Sequence, residues 1–137
     1  MAREFRRRTD GARILLVEDN EDFSLLMNLV LQEAGYAVDC ATCAEDALRM
    51  MERQRYRLLL SDYSLPGYSG LWLLSQAFER QLMAPHSALI ITGDPEAPGI
   101  GEAVPVVPKP LNFERLLPQI RKALENGTHP VPSDVAA

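Results

Sequence analysis

The chain has 137 residues, 47% hydrophobic and 24% charged, with a net charge of −5. That length supports one globular domain with a real core. The acidic body argues against nucleic-acid binding through this domain, and no apolar run reaches the roughly 18 residues that a membrane span needs.

Residues 1–13 hold five arginines against Glu4 and Asp10, so the rest of the chain carries −8. Residues 1–12 read as a disordered basic leader. They contain no apolar stretch of the secretory kind, and a cytoplasmic location is expected. Arg13–Val17 (RILLV) is a short apolar run closed by Glu18 and Asp19, and reads as a buried strand. Phe23, Leu26, Val30 and Ala34 then fall on one helical face, with Gly35 as its stop. Ala37–Ala41 is a second strand. Thr42 and Glu45 have the spacing of a capping box, opening a helix that buries Ala44, Ala47, Leu48 and Met51. Arg57–Asp62 is a third strand, apolar until its C-terminal end. After the loop 63–70, a third helix is marked by Leu71, Leu74, Phe78 and Leu82. Ser87–Thr92 is the fourth strand and Val104–Val107 the fifth, with Pro105 suited to a strand's start. Asn112 can cap a last helix whose face is Phe113, Leu116, Leu117, Ile120 and Leu124. Pro118 lies inside that pattern and predicts a kink or an irregular first turn. Residues 127–137 read as a disordered tail, which leaves 13–126 as the domain.

Cys40 and Cys43 have the spacing of a redox dithiol. No second pair is present for zinc, and neither His86 nor His129 stands at ligand spacing, so both cysteines read as ordinary structural residues.

Five strands alternating with helices, apolar without period-2 alternation, imply a parallel, doubly wound sheet covered on both faces. Ligands in such sheets sit at the strands' carboxyl ends. There the first strand ends in Glu18 and Asp19, the third in Asp62 and the fourth in Thr92, while the fifth leads into Lys109. Three clustered carboxylates suit a hard divalent cation with oxygen ligands, Mg²⁺ above all. Beside a hydroxyl and an ammonium, a carboxylate in that setting is equipped to receive a phosphoryl group.

From Arg13 to Glu125 the chain resembles a response regulator receiver domain, through the motifs LLVEDN, LLLSDYSLPGYSG, IITGD and VPKPL. The resemblance implies the flavodoxin-like version of the doubly wound, five-stranded parallel sheet. It implies Asp62 as phosphoacceptor, and Mg²⁺ held by Glu18, Asp19, Asp62 and the backbone carbonyl of Ser64. Thr92 and Lys109 would contact the phosphoryl group, and the Lys109–Pro110 bond would be cis. The donor would be a sensor histidine kinase or a histidine phosphotransfer protein, and the output a switch in binding to an unspecified protein partner. On this reading the chain is a phosphoacceptor signalling domain, not an enzyme, assisting only its own phosphorylation and dephosphorylation. It would be either a stand-alone receiver or a piece of a larger regulator. The alternative is a phosphorylation-independent interaction module, which a missing acceptor or lysine would have favoured; both residues are present.

The sequence departs from the family in two places. Sixteen residues separate Thr92 from Lys109, including Pro95, Pro98, Gly99, Gly101, Pro105 and Pro108, where the family usually has a fourth helix. Interior prolines and glycines at about 3 and 1 kcal/mol each predict no stable helix there, a degenerate helix 4. Val106 stands where receivers commonly carry a Tyr or Phe that turns inward during the switch.

Overall fold

The computed structural model describes residues 13–94 and 104–128, with the backbone alone for 126–128. In chain order the elements are β1 (Arg13–Val17), α1 (Glu21–Glu33), β2 (Ala37–Ala41), α2 (Ala44–Arg53), β3 (Leu58–Asp62) and α3 (Gly70–Glu79). A 3-10 turn (Pro85–Ser87), β4 (Ala88–Thr92), β5 (Val106–Pro108) and α4 (Phe113–Thr128) complete them. The strands form one parallel sheet in the order β2-β1-β3-β4-β5. That is the flavodoxin-like doubly wound order. The stretch expected to lack a helix falls largely on residues 95–103, outside the described residues, as do the leader and residues 129–137.

Alternation along each strand divides the core in two. Ile14, Leu16, Leu58, Leu60, Leu89 and Ile91 face α1 and α4, where Met27, Leu31, Leu116 and Ile120 meet them. Leu15, Val17, Leu59 and Ile90 face α2 and α3, against Ala44, Ala47, Leu48, Met51, Leu73 and Leu74. With helices on both faces, successive strand residues are buried whichever way they point, which is why these strands read as unbroken apolar runs.

Several local expectations shift. On α1 the buried pair is Met27 and Leu31, whereas Leu26 is 47% exposed beside Leu25 and Leu29. Four leucines, a valine and a methionine crowd this helix, and the sheet takes the face one position further round. Gly35 does stop it: at φ 97° its N–H donates to Gln32 O while Tyr36 N–H reaches Leu31 O, a Schellman closure. The same closure ends α3 without glycine. Gln81 adopts φ 59°, Gln81 N–H bonds Phe78 O and Leu82 N–H bonds Ala77 O, so Leu82 lies beyond the helix. The capping box at Thr42 does not form: Cys43 is the N-cap and makes no side-chain cap bond. Burial of Ala44, Ala47, Leu48 and Met51 fixes the phase of α2, so the cap falls on the residue after the threonine. Asn112 caps α4 as expected, accepting from Glu114 N–H at 2.9 Å. The helix then runs unbroken through Pro118, because burial of Leu116, Ile120, Ala123 and Leu124 outweighs the roughly 3 kcal/mol cost of an interior proline.

β5 is short and begins later than its apolar residues suggest. Pro105 O accepts from Ile90 N–H and Lys109 N–H donates to Thr92 O, so this strand hands Lys109 directly to the end of β4. On the opposite edge, Asp39 of β2 accepts from Arg13 Nη1 at 3.0 Å and from Gln54 Nε2 and the Tyr56 hydroxyl, each at 2.7 Å.

Candidate functional site

β1, β3, β4 and β5 all end at one rim of the sheet, and three polar residues of that rim are among the few buried ones among the described residues. Glu18 follows β1, Asp62 closes β3 and Thr92 closes β4; their exposures are 2%, 5% and 5%. Asp19 is exposed at the mouth. Glu18, Asp19 and Asp62 each offer a carboxylate oxygen, and these oxygens lie within 4.8 Å of one another. Lys109 Nζ donates to Asp62 Oδ2 at 3.1 Å.

The loop after β3 is fixed so that Asp62 has little freedom. Tyr63 N–H donates to Ile91 O at 2.8 Å and Gly70 N–H to Tyr63 O at 2.9 Å. Gly70 lies so close beneath β3 that a Cβ there would collide with the backbone oxygen of Asp62. Ser69 caps α3 by accepting from Trp72 N–H, and Tyr68 stacks on the Trp72 ring with centroids 4.1 Å apart. Ser64 lies in the exposed part of this loop, two residues after Asp62.

Glu18 carries the clearest electrostatic signature. One oxygen, Oε2, accepts from Asn20 N–H at 3.0 Å, while Oε1 is buried with no hydrogen-bond partner. Burial pushes its pKa above the ordinary carboxylate range, and the nearby charge of Asp62 acts in the same direction; Asn20 N–H and Lys109 oppose it. An orphaned oxygen in a cluster of three acids is the donor chemistry that a hard cation such as Mg²⁺ satisfies. The residues therefore fit that ion.

Thr92 is brought to the rim with its hydroxyl engaged locally. Asp94 N–H donates to Thr92 Oγ1 at 3.1 Å, and the hydroxyl reaches Asp94 O at 3.3 Å. The Lys109–Pro110 peptide bond is cis. Val106 is half-buried and paired in register with Ile90.

Two neighbours of the site lie outside the residues that the sequence singled out. Asn20 caps α1, accepting from Phe23 N–H at 2.9 Å. Phe23 places its ring beside Lys109, with Nζ 5.4 Å from the centroid. An asparagine just before a helix is a legible cap signal. The Phe23–Lys109 contact joins residues 86 positions apart, and no local pattern announces it.

A family model described as the response regulator receiver domain matches residues 14–121. An uncharacterized transcriptional regulatory protein of Bacillus subtilis, YkoG, is 32% identical over 125 residues, covering 87% of this chain and 54% of that protein. The transcriptional regulatory protein HprR of Escherichia coli is 30% identical over 115 residues, covering 82% of this chain and 51% of its own length. The chain thus spans about half the length of these curated relatives. Among solved structures, a putative response regulator from Chloroflexus aurantiacus superposes with a TM-score of 0.77 at 28% identity, covering 85% of this chain and 99% of that one.

Proposed function

Since this chain belongs to the response regulator receiver domain family, a signalling module of two-component systems, we propose that Asp62 is its phosphoacceptor and that phosphorylation switches its binding to a protein partner. The observation that carries this reading is the Asp62–Lys109 pair, 3.1 Å apart and set among three carboxylates, one of which keeps a bare buried oxygen.

A carboxylate oxygen of Asp62 forms a bond to phosphorus as the bond from phosphorus to the donor's nitrogen or oxygen breaks; the donor leaves with that electron pair. The donor is a phosphohistidine on a sensor kinase or phosphotransfer protein, or a small acyl phosphate. Lys109 holds a positive charge against the acceptor carboxylate and the transferring oxygens, which lowers the cost of bringing anion to anion. Thr92 can donate its hydroxyl to the phosphoryl group by exchanging the Asp94 carbonyl for it. Mg²⁺, held by Glu18, Asp19 and Asp62 with the carbonyl of Ser64, would neutralise charge on the same oxygens. Gly70 and the Tyr63 hydrogen bonds keep the acceptor fixed at the rim, so orientation is established before the donor arrives.

Incubation with acetyl phosphate and Mg²⁺, followed by intact mass measurement, tests the assignment. The wild-type chain is expected to gain one phosphoryl group and Asp62→Ala none. A wild-type chain that gains none and fails to bind beryllofluoride would overturn it.

A further inference from the structure

The phosphoryl-transfer reading leaves the aromatic ring beside its lysine without a role. Lys109 has a flexible four-carbon stem, a compact ammonium with three donors, and a side chain 35% exposed. Three carboxylates whose oxygens lie within 4.8 Å of one another compete for that ammonium. The charge-assisted hydrogen bond to Asp62 is the main restraint on the ammonium, and the neighbouring acids and water still draw it away from that position.

Phe23 supplies a second restraint. Its ring packs against the core beneath α1 and α4, so it is a fixed surface and not a loose one. Lys109 Nζ stands 5.4 Å from the ring centroid, inside the roughly 6 Å reach of cation–π attraction. The seat of the ring is itself tied to the site. Phe23 N–H donates to Asn20 Oδ1 at 2.9 Å, and Asn20 N–H donates to Glu18 Oε2 at 3.0 Å. A continuous set of contacts therefore runs from Glu18 through Asn20 and Phe23 to Lys109, and from Lys109 to Asp62.

We infer that Phe23 is a positioning residue: its ring face restrains the Lys109 ammonium beside Asp62 and so sets the rate at which Asp62 takes up a phosphoryl group. The inference rests on Asp62 being the phosphoacceptor. It acts through charge–quadrupole attraction, so it depends on the electron density of the ring as well as on its shape.

The test measures the rate of phosphorylation of the full chain by acetyl phosphate and Mg²⁺. Phe23→Leu is expected to slow it about two- to five-fold, the change expected from losing a cation–π contact of this exposure. Replacing Phe23 with mono-, di- and trifluorophenylalanine withdraws charge from the ring face while nearly keeping its shape, and the rate should fall stepwise along that series. A flat series, or an unchanged rate in Phe23→Leu, overturns the inference while leaving the acceptor assignment intact. A wild-type chain that neither gains a phosphoryl group nor binds beryllofluoride overturns the acceptor assignment instead, and the inference with it.

Discussion

Two carboxylates on this sheet occupy opposite circumstances. Asp39, on the β2 edge, is served by Arg13, Gln54 and Tyr56, with distances of 3.0, 2.7 and 2.7 Å. Glu18, at the carboxyl rim, is more deeply buried, keeps one oxygen bare, stands among two further carboxylates, and feels the ammonium of Lys109, which is hydrogen-bonded to Asp62 instead. Partnered charge of the first kind strengthens the fold; under-partnered charge of the second kind weakens it and leaves a place for something else to bind. The difference separates an acid partnered within the fold from one left available to a ligand, without reference to relatives.

The largest effect comes from moving the rim itself. Gly70→Ala should cost about 4 kcal/mol or more in urea unfolding, the exceptional end for a point change, because the added methyl meets backbone at Asp62. Beryllofluoride binding should be lost with it. Next in size, Asp39→Ala should cost about 1–3 kcal/mol by leaving Tyr56 and Arg13 without their acceptor, yet leave beryllofluoride affinity unchanged. Smallest, and opposite in sign, is Glu18→Gln. Because the folded chain raises the pKa of Glu18, stability is greatest below the ordinary value of 4.5 and falls as pH climbs through the raised one. In EDTA at pH 7.5 the glutamine variant should therefore melt about 2–4 °C higher than wild type, a response on the order of 1 kcal/mol or less, with the gain fading towards pH 4.5. The same variant should bind Mg²⁺ more weakly. If Glu18→Gln melted lower than wild type, the rim acids would belong with Asp39 after all.

Most of the frame and of the rim was legible in the sequence, for a physical reason. Parallel strands covered on both faces show as apolar runs, and the residue where each run ends is where a ligand-facing side chain must stand. Glu18, Asp19, Asp62, Thr92 and Lys109 could be placed on one rim from that alone. Details decided by competition between faces were less legible. The α1 sequence offers several leucine stripes, and only tertiary packing selects Met27 and Leu31 over Leu26. The end of α3 was hidden because Gln81, not glycine, takes the left-handed turn. At Thr42 the capping pattern was present but lost to the phase set by the buried face of α2. Phe23 was legible as part of the apolar face of α1, and its meeting with Lys109 depends on the fold as a whole.

The short last strand has a consequence for how copies of this protein meet. Pro105 and Lys109 bond inward to β4, so by alternation the residues whose backbone faces outward are Val106 and Pro108. Proline has no N–H, so among the described residues of β5 the outward-facing amide is that of Val106. A three-residue edge with a proline is a poor template for a further strand, whether from a partner peptide or from a second chain in an aggregating ladder. A ligand that meets β5 finds side chains, two carbonyls and one amide there, not a regular ladder of donors and acceptors.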